Sequence, residues 1–448
     1  MSTFKEYFID NPVLEFDNGI YLPLSLIELN YEISINYYNS TNAVVVDFKD
    51  IYYLKGNVIL ENAVIRTDMN IKAPILEDNL ELLQEVYVYG EYKDWLKIRT
   101  MDGVLGFIDK KFIRLNHTKD IYKTQLINRS VDNESVPNKI NLTWDYTYSR
   151  VKSTDNIKEI PGLNVISPTW FSITSENGTI QDKGNIDYVA KYKNLGYELW
   201  PLIDNSFDPD LTHNLLKSSI LRERLILDIV KLYSDYGFQG INIDFENIHL
   251  KDRDLLTQFV RELYPIFKEH NMIVTMDITP ISTSENWSMC YDRERLHKTV
   301  DYIMLMAYDQ HWAASPIAGS VAEYGWVEKS IKRSLEIIPN EKLILAVPFY
   351  TRLWTIEGDK ISSKSLSMDN ANNFIQKNNI NMVWDEDVAQ YYGELINEEK
   401  EYRIWLEDEK SLGYKISLVH KYNLAGISSW RKGFESENIW ASINRNLN

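Results

Sequence analysis

The sequence predicts an α/β fold: a closed (β/α)8 TIM barrel with a small α+β insertion after its seventh strand, preceded by two small mainly-β N-terminal domains. Three observations predict it. From residue 140 onward, eight strand-like runs alternate with amphipathic helices, which suits a closed barrel better than an open sheet. The seventh connection, about residues 355–420, is too long for one helix and reads as an inserted lobe. The segment before residue 117 reads instead as short strands between turn signals.

Residues 1–58 hold two alternating runs, EISINYY and NAVVVDF, around one helix at LPLSLIELN, a small α+β unit. From 59 to 117 the runs AVIRTD, QEVYVYGEYKDWLKIRT and DGVLGFID are bounded by turn residues, the pattern of a small β-barrel. Residues 118–139, ending in the polar stretch NRSVDNESVPNK, form a linker into the domain at 140–448. The barrel strands follow at 140–147, 163–171, 197–204, 240–246, 272–280, 300–309, 342–350 and 424–430. Between the fourth and fifth, Leu255, Leu256, Phe259, Val260, Leu263 and Phe267 recur at helical spacing, one stripe facing a sheet. NMVWDED and EYRIWLEDE supply strands of the inserted lobe.

Composition narrows the function. Of 448 residues, 44% are hydrophobic and 25% charged, ordinary for a globular chain that can bury a large core. The net charge of −17 speaks against a nucleic-acid or anionic-membrane partner, which calls for a basic patch. Cys290 is the sole cysteine, so no intrachain disulfide and no thiolate metal site forms, and the seven histidines lack metal-ligand spacing; no metal or cofactor is expected. No apolar run is long enough to span a membrane, and no signal peptide opens this sequence. The 12 Trp and 29 Tyr supply flat faces on which sugar rings stack, although such side chains equally fill cores.

The fourth strand carries the chemistry. In GFQGINIDFEN (237–247), Ile241, Ile243 and Phe245 alternate with Asn242, Asp244 and Glu246, so strand geometry sends the apolar set to one face and the polar set to the other. With helices flanking it, the strand is covered outside, and the polar face looks into an enclosed space or cleft. Active sites of such barrels lie at the C-terminal strand ends. There the sequence places Glu246, with Asp145, Trp170, Asp204, Asp277, Tyr308, Asp309, Tyr350 and Trp430 near the ends of other strands. Acids ringed by aromatics suit glycosidic cleavage, which needs a proton donor in a desolvated pocket and faces to hold the sugar. Repulsion between Asp244 and Glu246, at i and i+2 on one face, raises one of their pKa values and helps keep Glu246 protonated. Asp145, Trp144 and Asp204 also suit plain packing or pairing at the rim, Gln239 a deeper structural role, and Glu407 and Asp408 a solvated charge run or a wall of the cleft.

These residues resemble glycoside hydrolase family 18, the chitinase-like family, whose strand-four motif Asp-x-x-Asp-x-Asp-x-Glu stands here as Gln239-x-x-Asn242-x-Asp244-x-Glu246. MLMAYD on strand six, PFYTRLW on strand seven and GISSW on strand eight extend the resemblance over most of residues 140–440. GINIDFEN, SPTWF, IWLEDEKSLGYK and LAGISSWRKG resemble the branch of bacterial spore-cortex-lytic and peptidoglycan N-acetylglucosaminidases. The resemblance implies a retaining hydrolase whose nucleophile is the substrate's own 2-acetamido group. It implies that Glu246 is the general acid, Asp244 orients the acetamide, Tyr308 hydrogen-bonds its carbonyl and Asn242 tunes Asp244 by donating a hydrogen bond, which alters the pH profile. Trp430 would floor the sugar subsite, while Asp309, Met306, Tyr350, Arg352, Asp277 and Trp170 occupy cleft positions. The implied partner is a peptidoglycan or chitin-type glycan outside the cell, at wall or spore; a sugar-binding protein on the same barrel is the rival reading.

The N-terminal segments carry two further resemblances. NGIYLPLSLIE is similar to a small stalk domain first named from copper amine oxidases, without implying copper, since the segment has no histidine. Gly90, Trp95, Gly103, Gly106 and Phe107 resemble the framework of the bacterial Src-homology-3-like domain, which implies either binding of cell-wall components or a spacer.

Overall fold

The computed structural model describes residues 14–16, 19–31, 33–49, 54–78, 80–116, 139–148, 154, 157–397 and 400–447. The chain divides into two compact units, 5–134 and 135–448. Most of the polar stretch at 128–139 and of the segment read as a linker lies outside the described residues.

In the first unit, strands Ile33–Tyr38 and Ala43–Phe48 form an antiparallel hairpin beside a helix at Leu24–Asn30. Residues 54–115 form a seven-stranded sheet around Val58, Ile65, Val86, Leu96, Ile98 and Ile108. Its turn at Gly103 has φ +98°, a conformation that glycine adopts without a Cβ clash.

The second unit is the predicted barrel. Its strands are β1 (Ile140–Asp145), β2 (Val165–Ile173), β3 (Leu202–Asp204), β4 (Gly240–Asp244), β5 (Ile273–Ile278), β6 (Tyr302–Met306), β7 (Leu343–Pro348) and β8 (Gly426–Trp430). Each pairs in parallel with the next, and β8 pairs with β1, closing the ring. The closing seam requires glycine: a Cβ on Gly426 would lie 2.0 Å from the Ile140 carbonyl oxygen.

The alternation read in β4 is realised. Ile241, Ile243 and Phe245 join the core between strands and helices, where the Phe245 ring stacks on Phe259 at 5.5 Å. Burying a side chain of that size contributes about 2–3 kcal/mol. Leu256, Phe259, Val260, Leu263 and Phe267 all lie on the buried face of helix Arg253–Glu269. Inside the ring, Leu142, Trp144, Trp200, Leu202, Met304 and Ile344 fill the barrel below the polar face of β4. The helix before β4 ends at Gly237 in the left-handed region (φ +70°), which turns the chain directly into the strand.

The insertion is a five-stranded sheet with one helix, and it starts and ends earlier than the sequence suggested. Its first strand, Tyr350–Glu357, follows β7 after one residue, its last ends at Leu406, and Glu409–Lys421 is already the barrel helix before β8. Glu407 corrects a second expectation, because it is no solvated charge. It is fully buried, with its carboxylate 2.9 and 3.0 Å from the buried Lys415 Nζ and bonded to Gln390 and Ser411. Asp408 caps the helix, and the charge run is therefore a helix start whose first acid turns inward. Among the described residues no helix is long and apolar enough to cross a membrane, and no group of three or more His, Cys, Asp or Glu could hold a metal ion.

Candidate active site

Strand β4 and its neighbours bring the acids together at the C-terminal mouth. Asp204 sits opposite Asp244 in the β3–β4 ladder, Asp277 lies near the end of β5, and Glu246 follows β4 directly. Asp244 and Asp277 are buried and Glu246 is half-buried. Burial raises all three carboxyl pKa values; Glu246 is raised to about 8, with the charge of Asp277 the next contribution after burial. The repulsion read from the sequence acts on Asp244, whose pKa the charge of Glu246 raises further; on Glu246 itself Asp244 acts the other way, through a hydrogen bond that lowers the pKa, and burial outweighs it. Asp244 shares a side-chain hydrogen bond with Glu246, and its Oδ1 is a buried acceptor with no hydrogen-bond partner among the described residues.

Asn242 behaves differently from expectation. Its amide donates to Asp277 Oδ1 (2.7 Å) and Thr275 Oγ1 (3.2 Å), not to Asp244, while its oxygen accepts from the Trp144 indole at 2.7 Å. The amide is fixed from both sides inside the barrel, one layer below the reacting acids. Gln239 is structural, accepting from the Leu199 backbone N–H.

Aromatic side chains border this acid group. Tyr308 is half-buried and meets Tyr350 edge-on at 6.3 Å, and burial followed by the charge of Asp277 pushes its hydroxyl pKa well up. Tyr350 donates to Asp309 at 2.5 Å and Arg352 to the same oxygen at 2.8 Å, so these three form one network, with Met306 buried at the end of β6. Trp430 ends β8, half-buried, 5.8 Å from Trp144 and 6.1 Å from Tyr146. Asp145 pairs with Lys432 at 2.8 Å and accepts from Tyr188, a rim role. Trp170 is the residue that the fold removes from the cleft. It is fully buried among Phe171, Tyr188, Tyr236 and Phe238, on the helix side of β2, so it offers no face to a ligand.

Sequence reasoning missed Asn205. Buried just after β3, it accepts from the Glu246 N–H (3.0 Å) and donates to the Glu246 carbonyl (2.8 Å), clamping the backbone that carries the acid. The available signal was an amide directly behind Asp204 at a strand end. Replacing Asn205 by Ala leaves two backbone groups unpaired; we expect a stability loss of about 1–3 kcal/mol, read as a lower Tm, and a kcat on a glycan substrate reduced about tenfold with KM unchanged.

The pH dependence follows from the same burial. A carboxyl whose folded pKa exceeds its unfolded value carries its proton into the folded state. The stability contributed by Glu246 is therefore full below its ordinary value of 4.5 and lost as pH rises through about 8. Asp244 and Asp277 act in the same direction. We expect Tm to fall across that window and Glu246→Gln to flatten the fall, and a rate that needs protonated Glu246 to decline above about pH 8. A Tm rising from pH 5 to 8, with no difference between the two proteins, would contradict this.

The geometry has counterparts in known proteins. The model of Glycosyl hydrolases family 18 matches residues 146–434. The chain is 26% identical over 319 residues to the uncharacterized glycosylase YvbX of Bacillus subtilis, covering 68% of this chain and 91% of that protein. It is 25% identical to the cortical fragment-lytic enzyme of Bacillus subtilis over 253 residues, 55% of this chain and 58% of that one, so it spans just over half of that relative's length. The crystal structure of the Bacillus cereus spore cortex-lytic enzyme SleL superposes with a TM-score of 0.61 at 20% identity, over 69% of this chain and 74% of that one. A chitinase from Chromobacterium violaceum gives 0.60 at 19%, over 69% and 99%. The last two likenesses speak to the fold alone, whereas the family match runs over most of the chain and takes in Asp204, Asp244, Glu246 and Asp277. This chain belongs to the glycosyl hydrolases of family 18.

Proposed function

We propose that the chain hydrolyses the β-1,4 bond next to N-acetylglucosamine in peptidoglycan, of spore cortex or cell wall, with retention and substrate-assisted catalysis. The observation that carries this reading is a Glu246 carboxyl raised to about 8 and therefore protonated at neutral pH, beside an Asp244 oxygen with no protein partner. In the first step the acetamide oxygen attacks C1 as the C1–O bond breaks, and Glu246 gives its proton to the leaving oxygen. The product is an oxazolinium ion whose N–H the unpartnered Asp244 oxygen can accept and whose positive charge favours the ionised form of Asp244 that burial disfavours at rest. In the second, Glu246 takes a proton from the water that opens the ring, restoring the acid. Tyr308 donates to the acetamide carbonyl, Trp430 floors the sugar, and Asp309, Tyr350, Arg352 and Met306 line the cleft.

The cortical fragment-lytic relatives support a peptidoglycan substrate and a location outside the cell at wall or spore. Residues 54–116 fit a wall-binding module of the Src-homology-3-like kind, and the smaller unit before them a stalk. The test incubates wild type and Glu246→Gln with cortex fragments, wall sacculi and chitin oligomers and measures new reducing ends and product masses. N-acetylglucosamine reducing ends from the first two, absent with the variant, are expected. Binding without turnover in both proteins would leave a sugar-binding protein instead.

A further inference from the structure

A cation stands at the mouth of this acidic barrel without an acid to meet it. Arg431, directly after Trp430, makes no ion pair among the described residues. Its guanidinium lies 4.0 Å from the Phe434 ring centre, 4.8 Å from Tyr146 and 5.7 Å from Tyr148, and donates to the Tyr148 hydroxyl at 3.3 Å. Lys183 reaches the same segment from β2's side, donating to the Thr147 carbonyl at 3.4 Å, with its charge felt by Asp204 but no acid in direct contact among the described residues. Two other cations near the strand ends are neutralised, Lys432 by Asp145 and Arg352 by Asp309, and the buried Arg293 is taken up by the Thr279 and Ser288 carbonyls. The rings form a path outward from the sugar floor, Trp430 to Tyr146 at 6.1 Å and Tyr146 to Tyr148 at 4.6 Å, ending on Tyr148, which is 77% exposed.

We propose that Arg431, assisted by Lys183, binds a carboxylate carried on the sugar adjoining the reacting N-acetylglucosamine, and so separates peptidoglycan from chitin; this rests on the function proposed above. A carboxylate on the glycan gains an ion pair from a cation that no protein acid occupies, whereas a neutral chitin chain has no group to place there. The aromatic path receives the sugar's apolar face while the planar guanidinium, held against rings and poor in competing acceptors, keeps N–H donors for a carboxylate. The shared chemistry is a carboxylate on the 3-O substituent, supplied either by the free lactyl ether of muramic acid or by an acidic stem peptide. Muramic lactam, which lacks that carboxylate, should gain nothing.

The test uses full-length Glu246→Gln protein, so that binding is read without turnover, and calorimetry with four tetrasaccharides: free muramic acid, stem-peptide-bearing, muramic lactam and chitotetraose. Adding Arg431→Gln is expected to weaken one or both carboxylate-bearing ligands about tenfold and leave the two neutral ones unchanged, with Arg431→Lys restoring part of the loss. Which of the two carboxylate ligands loses affinity identifies the source. Lys183→Met, which removes no ring from the stack, is expected to give a smaller loss of the same selectivity, and raised salt to reduce the advantage. Equal loss on all four ligands would make Arg431 a packing residue and overturn the proposal, as would no loss on any. Both results leave the hydrolase reading intact if the parent enzyme releases reducing ends; if it releases none from any of the four, that reading falls and takes this one with it.

Discussion

Glu246→Gln lowers kcat on peptidoglycan fragments by about 10³-fold while leaving Kd for the same glycan within about threefold. The amide keeps the size and one donor of the protonated carboxyl, so the sugar still fits, but it has no proton to give to the leaving oxygen. The effect is large because the departing alkoxide is a poor leaving group and the buried cleft admits little water to protonate it instead. The measurement is kcat from reducing-end release and Kd from calorimetry. A variant that keeps more than a tenth of wild-type kcat would place the acid elsewhere. The alkaline decline above about pH 8 should vanish from any residual rate, since the group responsible is gone.

Asp244→Asn is expected to lower kcat by about 10²-fold with KM little changed, because the lost charge acts on the oxazolinium ion and not on the resting sugar. The side chain is buried, and its Oδ1 has no protein partner, so the variant disturbs no existing hydrogen bond at that atom. A paired substrate sharpens the reading. Replacing the 2-acetamido group by hydroxyl should stop turnover by wild type and variant alike, as neither protein supplies a nucleophile of its own. Turnover of the hydroxyl analogue at near-normal rate, or an Asp244→Asn loss seen wholly in KM, would contradict substrate assistance.

Much of this was legible in the sequence, for a physical reason. A parallel strand with one face against helices and the other in a cleft writes its two environments as alternating residues, and Ile241-Asn242-Ile243-Asp244-Phe245-Glu246 does so without interruption. The eight strands were legible for the same reason, since apolar runs of about six residues alternated with helical stripes. Direction within a layer was less so. Trp170 sits near a strand end, as a ligand-stacking residue would, but the bulge in the β2–β3 register between Thr169 and Phe171 accompanies a side chain packed on the helix side. Asn242 was placed correctly inside the ring, yet its partner was misjudged. Residues two apart on one strand share a face, but the nearer acceptor was Asp277 across the β4–β5 ladder. Glu407 reads as a surface charge because its partner Lys415 lies eight residues further on, and only the turn into the helix brings the two together. The start of the insertion escaped notice because PFYTRLWTIE runs on from β7 with no breaker after Pro348.

The fixed amide of Asn242 has one further consequence. Its oxygen faces the Trp144 indole and its nitrogen faces Asp277, and neither end can gain or lose a hydrogen ion near neutrality. Where a carboxylic acid would permit relay between the reacting layer and the floor of the ring, this junction is an insulator. Glu246 then recovers its hydrogen ion only from the water that opens the oxazolinium ring, and that water enters through the open mouth, so recharging of the enzyme and escape of the cleaved glycan share a single doorway.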